Sequence, residues 1–414
     1  MSHRLIVLPD DTAQAILDPV NSARHSLNIR MFLFTYKSLL DAVIAARHRG
    51  VNVRVMLNPA RRDGTSDNEA TRNALLAAGV SVRDSNSAFA VTHQKSMVID
   101  DRIGFIESLN WELRDLTETR DYAVETTKKT EVEEMVRCFD ADWEERAFEP
   151  EAGSDLIWCP NNGRQRIADF IDGAKETLWL QNERYQDMVI IERIVRAARR
   201  GVQVRIMSRA LHKLKKKKLF EGVSGLRIVH DVGAKVHVLK NLKLHGKIMI
   251  ADEARAIVGS INLSPGSFDD RRELAIETSS AHVVKRLVKT AAHDWKHSRK
   301  MPLSDEAVLA DLESHGANDL GRLALAKSGW DAHDLQNRKH RCRSQRCLVV
   351  RASRGRAIVQ DDTCILRRYL FSIPVCCICC RVDGPCRLIA TARVSNIDNH
   401  LSREAARFRG TKPY

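Results

Sequence analysis

Aromatic residues make up only 5% of the 414 positions, too few to supply the rows of Phe, Tyr or Trp on which single-stranded bases stack. No uninterrupted apolar run approaches the ~20 residues that a membrane-spanning helix needs. The first residues lack the basic start, long apolar stretch and small-residue cleavage site of a secretory signal, so a cytoplasmic protein is the expectation. Cysteine is absent where a disulfide framework would require it. Of ten cysteines only Cys138 and Cys159 precede residue 300, and the other eight fall between Cys342 and Cys386. The first three hundred residues are therefore held together without a set of disulfides.

What the chain does have is a strong basic excess. A formal charge of +14 and a pI near 9.4 favour anionic partners, either acidic lipid headgroups or nucleic acid. The 43% hydrophobic and 29% charged composition is that of a globular protein long enough for two or three ordinary cores.

It also repeats itself. Ala-Ala-Arg-His-Arg-Gly-Val-Asn-Val-Arg-Val-Met, ending at Met56, returns as Ala-Ala-Arg-Arg-Gly-Val-Gln-Val-Arg-Ile-Met, ending at Met207. Gly50 thus maps to Gly201, and the same offset of 151 pairs Pro9 with Pro160. Further on the offset becomes 152, pairing Glu125 with Glu277 and Trp143 with Trp295. A self-similarity this long defines the architecture before any local reading does. We expect two tandem units, residues 1–150 and 151–300, followed by an irregular extension over 301–414.

Each unit alternates strand and helix signals. Residues 26–34 are apolar and β-branched, 37–49 carry helical spacing up to Gly50, 51–57 alternate apolar with polar, and 68–78 are helical again before Gly79. Alternating β and α elements predict an α/β layered unit with helices over a mixed sheet, and duplication predicts two such sheets about a pseudo-twofold axis.

The pattern that carries chemistry is His-x-Lys followed by four residues and Asp. It occurs as His93-Gln-Lys95-Ser-Met-Val-Ile-Asp100 and as His245-Gly-Lys247-Ile-Met-Ile-Ala-Asp252. Residues two apart on a strand share a face, so His and Lys can meet one phosphate. One such pair is an ordinary basic surface feature. Two copies at matching positions of a duplicated chain, each followed by Ser-x-Asn (Ser108 and Asn110; Ser260 and Asn262), are not.

These paired motifs resemble the signature of the phospholipase D superfamily over about the first three hundred residues. The resemblance implies two α/β halves with both motifs in one site at their interface, an intramolecular pseudo-dimer within a monomer. It implies His93 as a nucleophile forming a phosphohistidine and His245 as general acid, and it places acidic residues at Asp121 and Glu273 to orient the imidazoles. Lys95 and Lys247 are expected to neutralise the phosphodiester, with the hydroxyls of Ser108 and Ser260 and the amides of Asn110 and Asn262 as further phosphate ligands. Asp100 and Asp252 are expected to brace the strand end. With two fixed cations at hand, neither a metal nor another cofactor is called for. The sequence departs from the family pattern at Glu107, where glycine is usual, and at Arg271, where asparagine is frequent.

Residues 211–218, Leu-His-Lys-Leu-Lys-Lys-Lys-Lys, form the densest basic run, matched in the first half only by the weaker segment at 61–64. An anchor to an anionic membrane surface, a nucleic-acid track and a solvated helix face are its three readings. Trp143 and Trp295 read as core residues closing each repeat, and Trp111 as either packing or site lining. The scarcity of aromatics tilts the expected substrate toward a glycerophospholipid, hydrolysed at its headgroup or passed to another alcohol. The alternatives are a nuclease with the same chemistry and a non-catalytic phosphate-binding descendant. In the extension, residues 305–325 predict a helix or two. The cysteines at 375–380 lack zinc-knuckle spacing and lie in an apolar stretch too short to cross a bilayer.

Overall fold

A computed structural model describes residues 2–60, 64–210, 219–314, 349–353 and 356–360. The basic run at 211–218, most of its first-half counterpart and the cysteine-rich tail lie outside the described residues.

The strands and helices follow from the repeat. In the first half, β1 (His3–Leu8), α1 (Gln14–Ser22), β2 (Ser26–Met31), α2 (Lys37–His48), β3 (Asn52–Leu57), α3 (Glu69–Ala77) and β4 (Ser81–Asp84) come first. Then follow β5 (Val91–Thr92), β6 (Ser96–Ile99), β7 (Ile103–Glu107), α4 (Leu113–Thr117), β8 (Thr119–Thr126) and α5 (Lys129–Trp143). The second half repeats this as β9 (Leu156–Cys159), α6 (Gly163–Asp172), β10 (Thr177–Gln181), α7 (Met188–Arg199), β11 (Gln203–Met207), α8 (Leu219–Asp231) and β12 (Lys235–Leu239). It continues with β13 (Lys243–Leu244), β14 (Lys247–Ala251), β15 (Arg255–Gly259), α9 (Pro265–Asp269), β16 (Arg271–Thr278) and α10 (Ala281–Lys296). An edge strand β17 (Ser298–Lys300), helix α11 (Asp305–Ser314) and a separate antiparallel pair, β18 (Val349–Ser353) with β19 (Arg356–Gln360), complete the described chain.

Helices α2 and α7 stop in the same way. Gly50 and Gly201 both take a φ of 91°, where a side chain would be strained. This lets Val51 N–H reach Ala46 O and Val202 N–H reach Ala197 O, each at 3.1 Å.

The sheets have matching strand orders, β1-β8-β7-β6-β2-β3-β4 and β9-β16-β15-β14-β10-β11-β12, with β17 added at the second edge. In each, the parallel pairs of the α/β crossovers adjoin antiparallel strands carrying the motif, so both sheets are mixed. The halves also exchange a strand. Short β5 of the first half pairs in parallel with β16 of the second, and β13 pairs in parallel with β8.

Each half has its own apolar core, and a third cluster joins them. It draws Leu5, Val7, Ile106 and Val124 from one sheet, Trp158, Ile248, Val258 and Ile276 from the other, and the inner faces of α5 and α10. Two reciprocal buried ion pairs brace the same interface. Arg120 of β8 makes a bidentate pair with Asp294 of α10, both contacts 2.9 Å, and Arg272 of β16 makes one with Asp142 of α5, both contacts 3.0 Å. Both guanidinium groups are buried and point across the interface.

Trp143 and Trp295, expected in the core, lie at its margin, Trp295 packed against the joining cluster. Both are half-buried at helix ends, Trp143 stacked on Phe139 beneath Arg54 and Arg83, Trp295 stacked on His237 at 3.8 Å. The matching positions close a sheet edge with cation–π and ring contacts, which periodicity alone could not distinguish from core. Cys138 and Cys159 are free and buried. No helix among the described residues is long and apolar enough to cross a membrane.

Candidate active site

The exchanged strands deliver the two histidines. His93 follows β5, and its backbone N–H and that of Gln94 both bond Arg272 O at 2.9 Å. His245 follows β13, and the N–H groups of His245 and Gly246 bond Arg120 O at 3.3 and 2.7 Å. Each histidine is thus registered one residue away from the acidic residue of the opposite half. The outcome is a crossed arrangement. His93 Nδ1 lies 2.9 Å from Glu273 Oε2, and His245 Nδ1 lies 2.9 Å from Asp121 Oδ1.

With these carboxylates ionised, each Nδ1 carries the proton and donates it, which turns Nε2 toward the space between the halves. Lys95 and Lys247 are buried beside them, each donating to the main-chain oxygen of its own motif histidine. Both sequence motifs therefore meet in one place.

The serines do something other than expected. Ser108 Oγ donates to Asp121 Oδ1 and Ser260 Oγ donates to Glu273 Oε2, both at 2.6 Å. Each also accepts a backbone N–H, from Tyr122 at 2.9 Å and Leu274 at 3.1 Å. Both residues are fully buried. Their hydroxyl protons are directed to these carboxylates and not to the space between the halves.

Asn110 Nδ2 donates to Asp115 Oδ2 at 2.8 Å rather than standing free for a phosphate. The side-chain oxygens of Asn110 and Asn262 are buried without a hydrogen-bond partner. Asp100 and Asp252 sit away from the site at turns with φ of 53° and 54°. Burial is the largest single influence and raises both carboxyls, but each accepts the backbone N–H groups of three consecutive residues, 24–26 and 175–177, which together outweigh it and hold both below the usual range.

Glu107 does not face the phosphate position. It accepts Trp111 Nε1–H at 2.9 Å inside the first core, and burial pushes it up to about 8. Trp111 is fully buried, so it packs and does not line the site.

Three residues behind the imidazoles, Asp115, Ser267 and Thr119, were not singled out from the sequence, whereas Arg271 was. Asp115, five beyond Asn110, brings Oδ2 to 3.5 Å from His245 Nδ1. Its counterpart in the repeat is Ser267, whose hydroxyl donates to Glu273 Oε1 at 2.9 Å. Likewise Thr119, which donates to Asp121, has Arg271 as its counterpart, buried 4.0 Å from Glu273. The two halves are thus alike in backbone and unlike in charge. The signal was present as two mismatches in an otherwise aligned repeat.

The electrostatic consequence is a split pair. Burial, then Lys95, Arg271 and Lys247, all disfavour a charge on His93, which holds it well below the ordinary histidine value. Burial also works against a charge on His245, but Asp121, Asp115 and Glu183 outweigh it and raise that histidine. Lys95 is drawn down to about 7, chiefly by burial, with Glu273 opposing.

Asp115, Asp121 and His245 present one ligand atom each within 4.8 Å of one another, the spacing of a metal-binding group. Their atoms are already engaged. Asp121 takes Ser108, Thr119 and His245, and Asp115 takes the backbone and side-chain N–H of Asn110 and approaches Arg114. The chemistry of this set is that of an imidazole held by carboxylates.

A family model described as the phospholipase D-like domain of cardiolipin synthase matches this chain twice, over residues 16–143 and 167–295. Cardiolipin synthase B of Salmonella typhimurium is 24% identical over 300 residues, spanning 62% of this chain and 71% of that protein. A mitochondrial cardiolipin hydrolase of Danio rerio is 31% identical over 128 residues, spanning 31% of this chain and 53% of that protein. Among solved structures, a phosphatidylserine synthase from Haemophilus influenzae superposes with a TM-score of 0.60 at 11% identity, covering 78% of this chain and 94% of that one, which bears on the fold alone. The chain belongs to the phospholipase D superfamily, whose domain it carries twice in tandem.

Proposed function

We propose that the chain is a phosphatidyl-transferring phosphodiesterase that acts on a glycerophospholipid through a covalent phosphohistidine, without a metal. The observation that carries this reading is the crossed and electrically split histidine pair. His93, neutral with its Nε2 lone pair free, is the nucleophile, and His245, the more readily protonated, is the general acid.

In the first step His93 Nε2 attacks phosphorus and the bond to the leaving alcohol oxygen breaks. That oxygen takes the proton from His245 Nε2. In the second step a new alcohol, or water, gives its proton to His245 Nε2 as its oxygen attacks phosphorus, and His93 leaves. Lys95 and Lys247 neutralise the phosphoryl oxygens throughout. Glu273 and Asp121 hold the imidazoles in the tautomer each step needs, and Ser260 and Ser108 hold those carboxylates. The charge that a metal would otherwise supply is present in side chains.

Transfer to an alcohol is favoured over hydrolysis by the cardiolipin synthase named among the relatives. A phospholipid rather than a nucleic acid is favoured by the same relative and by the few aromatics. The test is the purified chain with labelled phosphatidylglycerol vesicles, in EDTA. We expect a transferred or hydrolysed phosphatidyl product and label trapped on His93, both lost in His93→Asn. Cleavage of DNA with no lipid product, or activity abolished by EDTA and restored by a divalent ion, overturns the proposal.

A further inference from the structure

The two halves also differ at a pair of matched positions just beyond β2 and β10. The first half has Phe32, whose ring centroid lies 5.0 Å from that of His93 and 5.1 Å from Lys95 Nζ. The second half has Glu183 in the same place. This carboxylate is buried, with Oε2 3.2 Å from Lys247 Nζ and 3.8 Å from His245 Nε2, and Oε1 2.7 Å from Arg209 Nη1. A carboxylate beside the phosphate-binding lysine of a site built for anions is unfavourable unless it serves the reaction.

Resting on the reading proposed above, we infer that Glu183 is a specificity-determining residue that recognises a second, neighbouring hydroxyl on the alcohol leaving or entering phosphorus, so that the site selects vicinal polyols over simple alcohols. His245 Nε2 is the atom that exchanges a proton with the reacting oxygen, and Glu183 Oε2 lies beside it. Two adjacent hydroxyls of one polyol span that gap, one meeting the imidazole and the other donating to the carboxylate. Lys247 occupies only part of the accepting capacity of Oε2.

The surrounding charges decide what class of group Glu183 takes. Lys247, Arg209 and a protonated His245 already neutralise it, so a cationic headgroup is repelled by them, and an anionic one has no proton to donate to the carboxylate. A neutral hydroxyl donor is left. On the other side of the site Phe32 presents no acceptor at all, which confines the preference to the side of His245.

In the second step the polyol hydroxyl gives its proton to neutral His245 Nε2, its oxygen forms the new bond to phosphorus, and the phosphorus–nitrogen bond to His93 breaks. The neighbouring hydroxyl keeps its proton and only hydrogen-bonds Glu183. By reversibility the same contact holds the departing polyol of the first step.

The test partitions one intermediate between acceptors. The purified chain, phosphatidylglycerol vesicles and equal concentrations of ¹³C-glycerol and 1-propanol are incubated, and labelled phosphatidylglycerol, phosphatidylpropanol and phosphatidic acid are quantified by mass spectrometry. The glycerol-to-propanol ratio is set after the phosphohistidine forms, so neither the amount of folded enzyme nor the rate of the first step moves it. The wild type is expected to favour glycerol, and Glu183→Gln to lower the ratio roughly tenfold, as loss of a hydrogen bond to a charged group does. A ratio within about twofold of wild type, on that same scale, overturns the inference. If Glu183→Gln yields no product, the ratio is read from Glu183→Asp, which withdraws the carboxylate, and an unchanged ratio there overturns it equally. Absence of all three products with the wild type would instead sink the proposed function.

Discussion

Replacing Asp115 by Asn removes one charge from the neighbourhood of His245 while keeping the side chain's shape. The carboxylate lies 3.5 Å from Nδ1, and at an effective dielectric near 20 a full charge pair at that distance is worth roughly 5 kcal/mol. Arg114 Nε stands 3.4 Å from the other oxygen of Asp115 and offsets part of this, and Asp121 remains at 2.9 Å. His245 should therefore titrate about one to two pH units lower, within the usual range for loss of one nearby opposite charge.

The sign fixes the observable. On the proposed mechanism His245 must be protonated to release an alkyl alcohol, its protonated fraction falls as pH rises, and lowering its pKa moves that loss to lower pH. With phosphatidylglycerol, the alkaline limb of the single-turnover rate should therefore move down by about one to two pH units, and the rate above it should fall about tenfold for each pH unit that the limb moves. A phosphatidyl p-nitrophenyl ester releases an aryl oxide that needs no proton. For it the limb should stay where it is, so any change shared by both substrates, including the titration of Lys95, cancels. The assay is the ratio of the two rates across pH. If Asp115→Asn leaves that ratio unmoved, or displaces both limbs equally, then the charge difference between the halves does not divide the roles of the histidines.

Lys95, lowered to about 7 by burial with Glu273 opposing, acts in its charged form, so kcat/KM should decline as pH rises through about 7. Lys95→Arg, which stays charged, should abolish that limb even where the maximal rate drops, as a kcat/KM profile will show. Asp142 balances two buried guanidinium groups, Arg30 at 2.9 Å and Arg272 at 3.0 Å, whereas Asp294 balances one, Arg120. Both Asp→Ala variants should therefore lose about 3–5 kcal/mol in urea unfolding, with Asp142→Ala the worse. Negligible losses would show that these reciprocal pairs do not brace the interface, and equal losses that the second guanidinium on Asp142 adds nothing.

The duplication made the fold legible. Gly50 and Gly201, the two His-x-Lys pairs and the alternating strand and helix signals are local features, and each is written directly in neighbouring residues. What the sequence could not show is which half each side chain serves. That depends on β5 and β13 changing sheets, and two-residue strands such as Val91–Thr92 carry too little pattern to announce a partner. The serines are a case in kind. A hydroxyl two residues from an asparagine near a phosphate site reads as a phosphate ligand, yet Ser108 and Ser260 are buried behind Asp121 and Glu273, and only tertiary packing puts them there. Asp115 escaped notice because its repeat partner is Ser267. An alignment of the halves rewards matches, while the chemistry of this site lies in the mismatches.

On the proposed mechanism, those mismatches explain how a chain with two copies of one unit can run a reaction that needs two unlike histidines. A strictly symmetric site would give both imidazoles the same surroundings and hence the same affinity for a proton, with no fixed nucleophile and no fixed acid. Here three exchanges break the tie without disturbing a single strand pairing: Asp115 against Ser267, Thr119 against Arg271, and Phe32 against Glu183. The first two act behind the imidazoles on their Nδ1 sides, and the third acts in front, beside Nε2 of His245. All three push in one direction, charge toward His245 and away from His93. Because the groups behind each imidazole come from the other half, a substitution at Asp115, Thr119, Ser267 or Arg271 tunes the opposite side of the reaction, whereas Phe32 and Glu183 act on the histidine of their own half. Exchanging Asp115 and Ser267 between their positions should therefore narrow or reverse the proton preference with the fold intact, and trapping the phosphohistidine on His245 instead of His93 would be its signature.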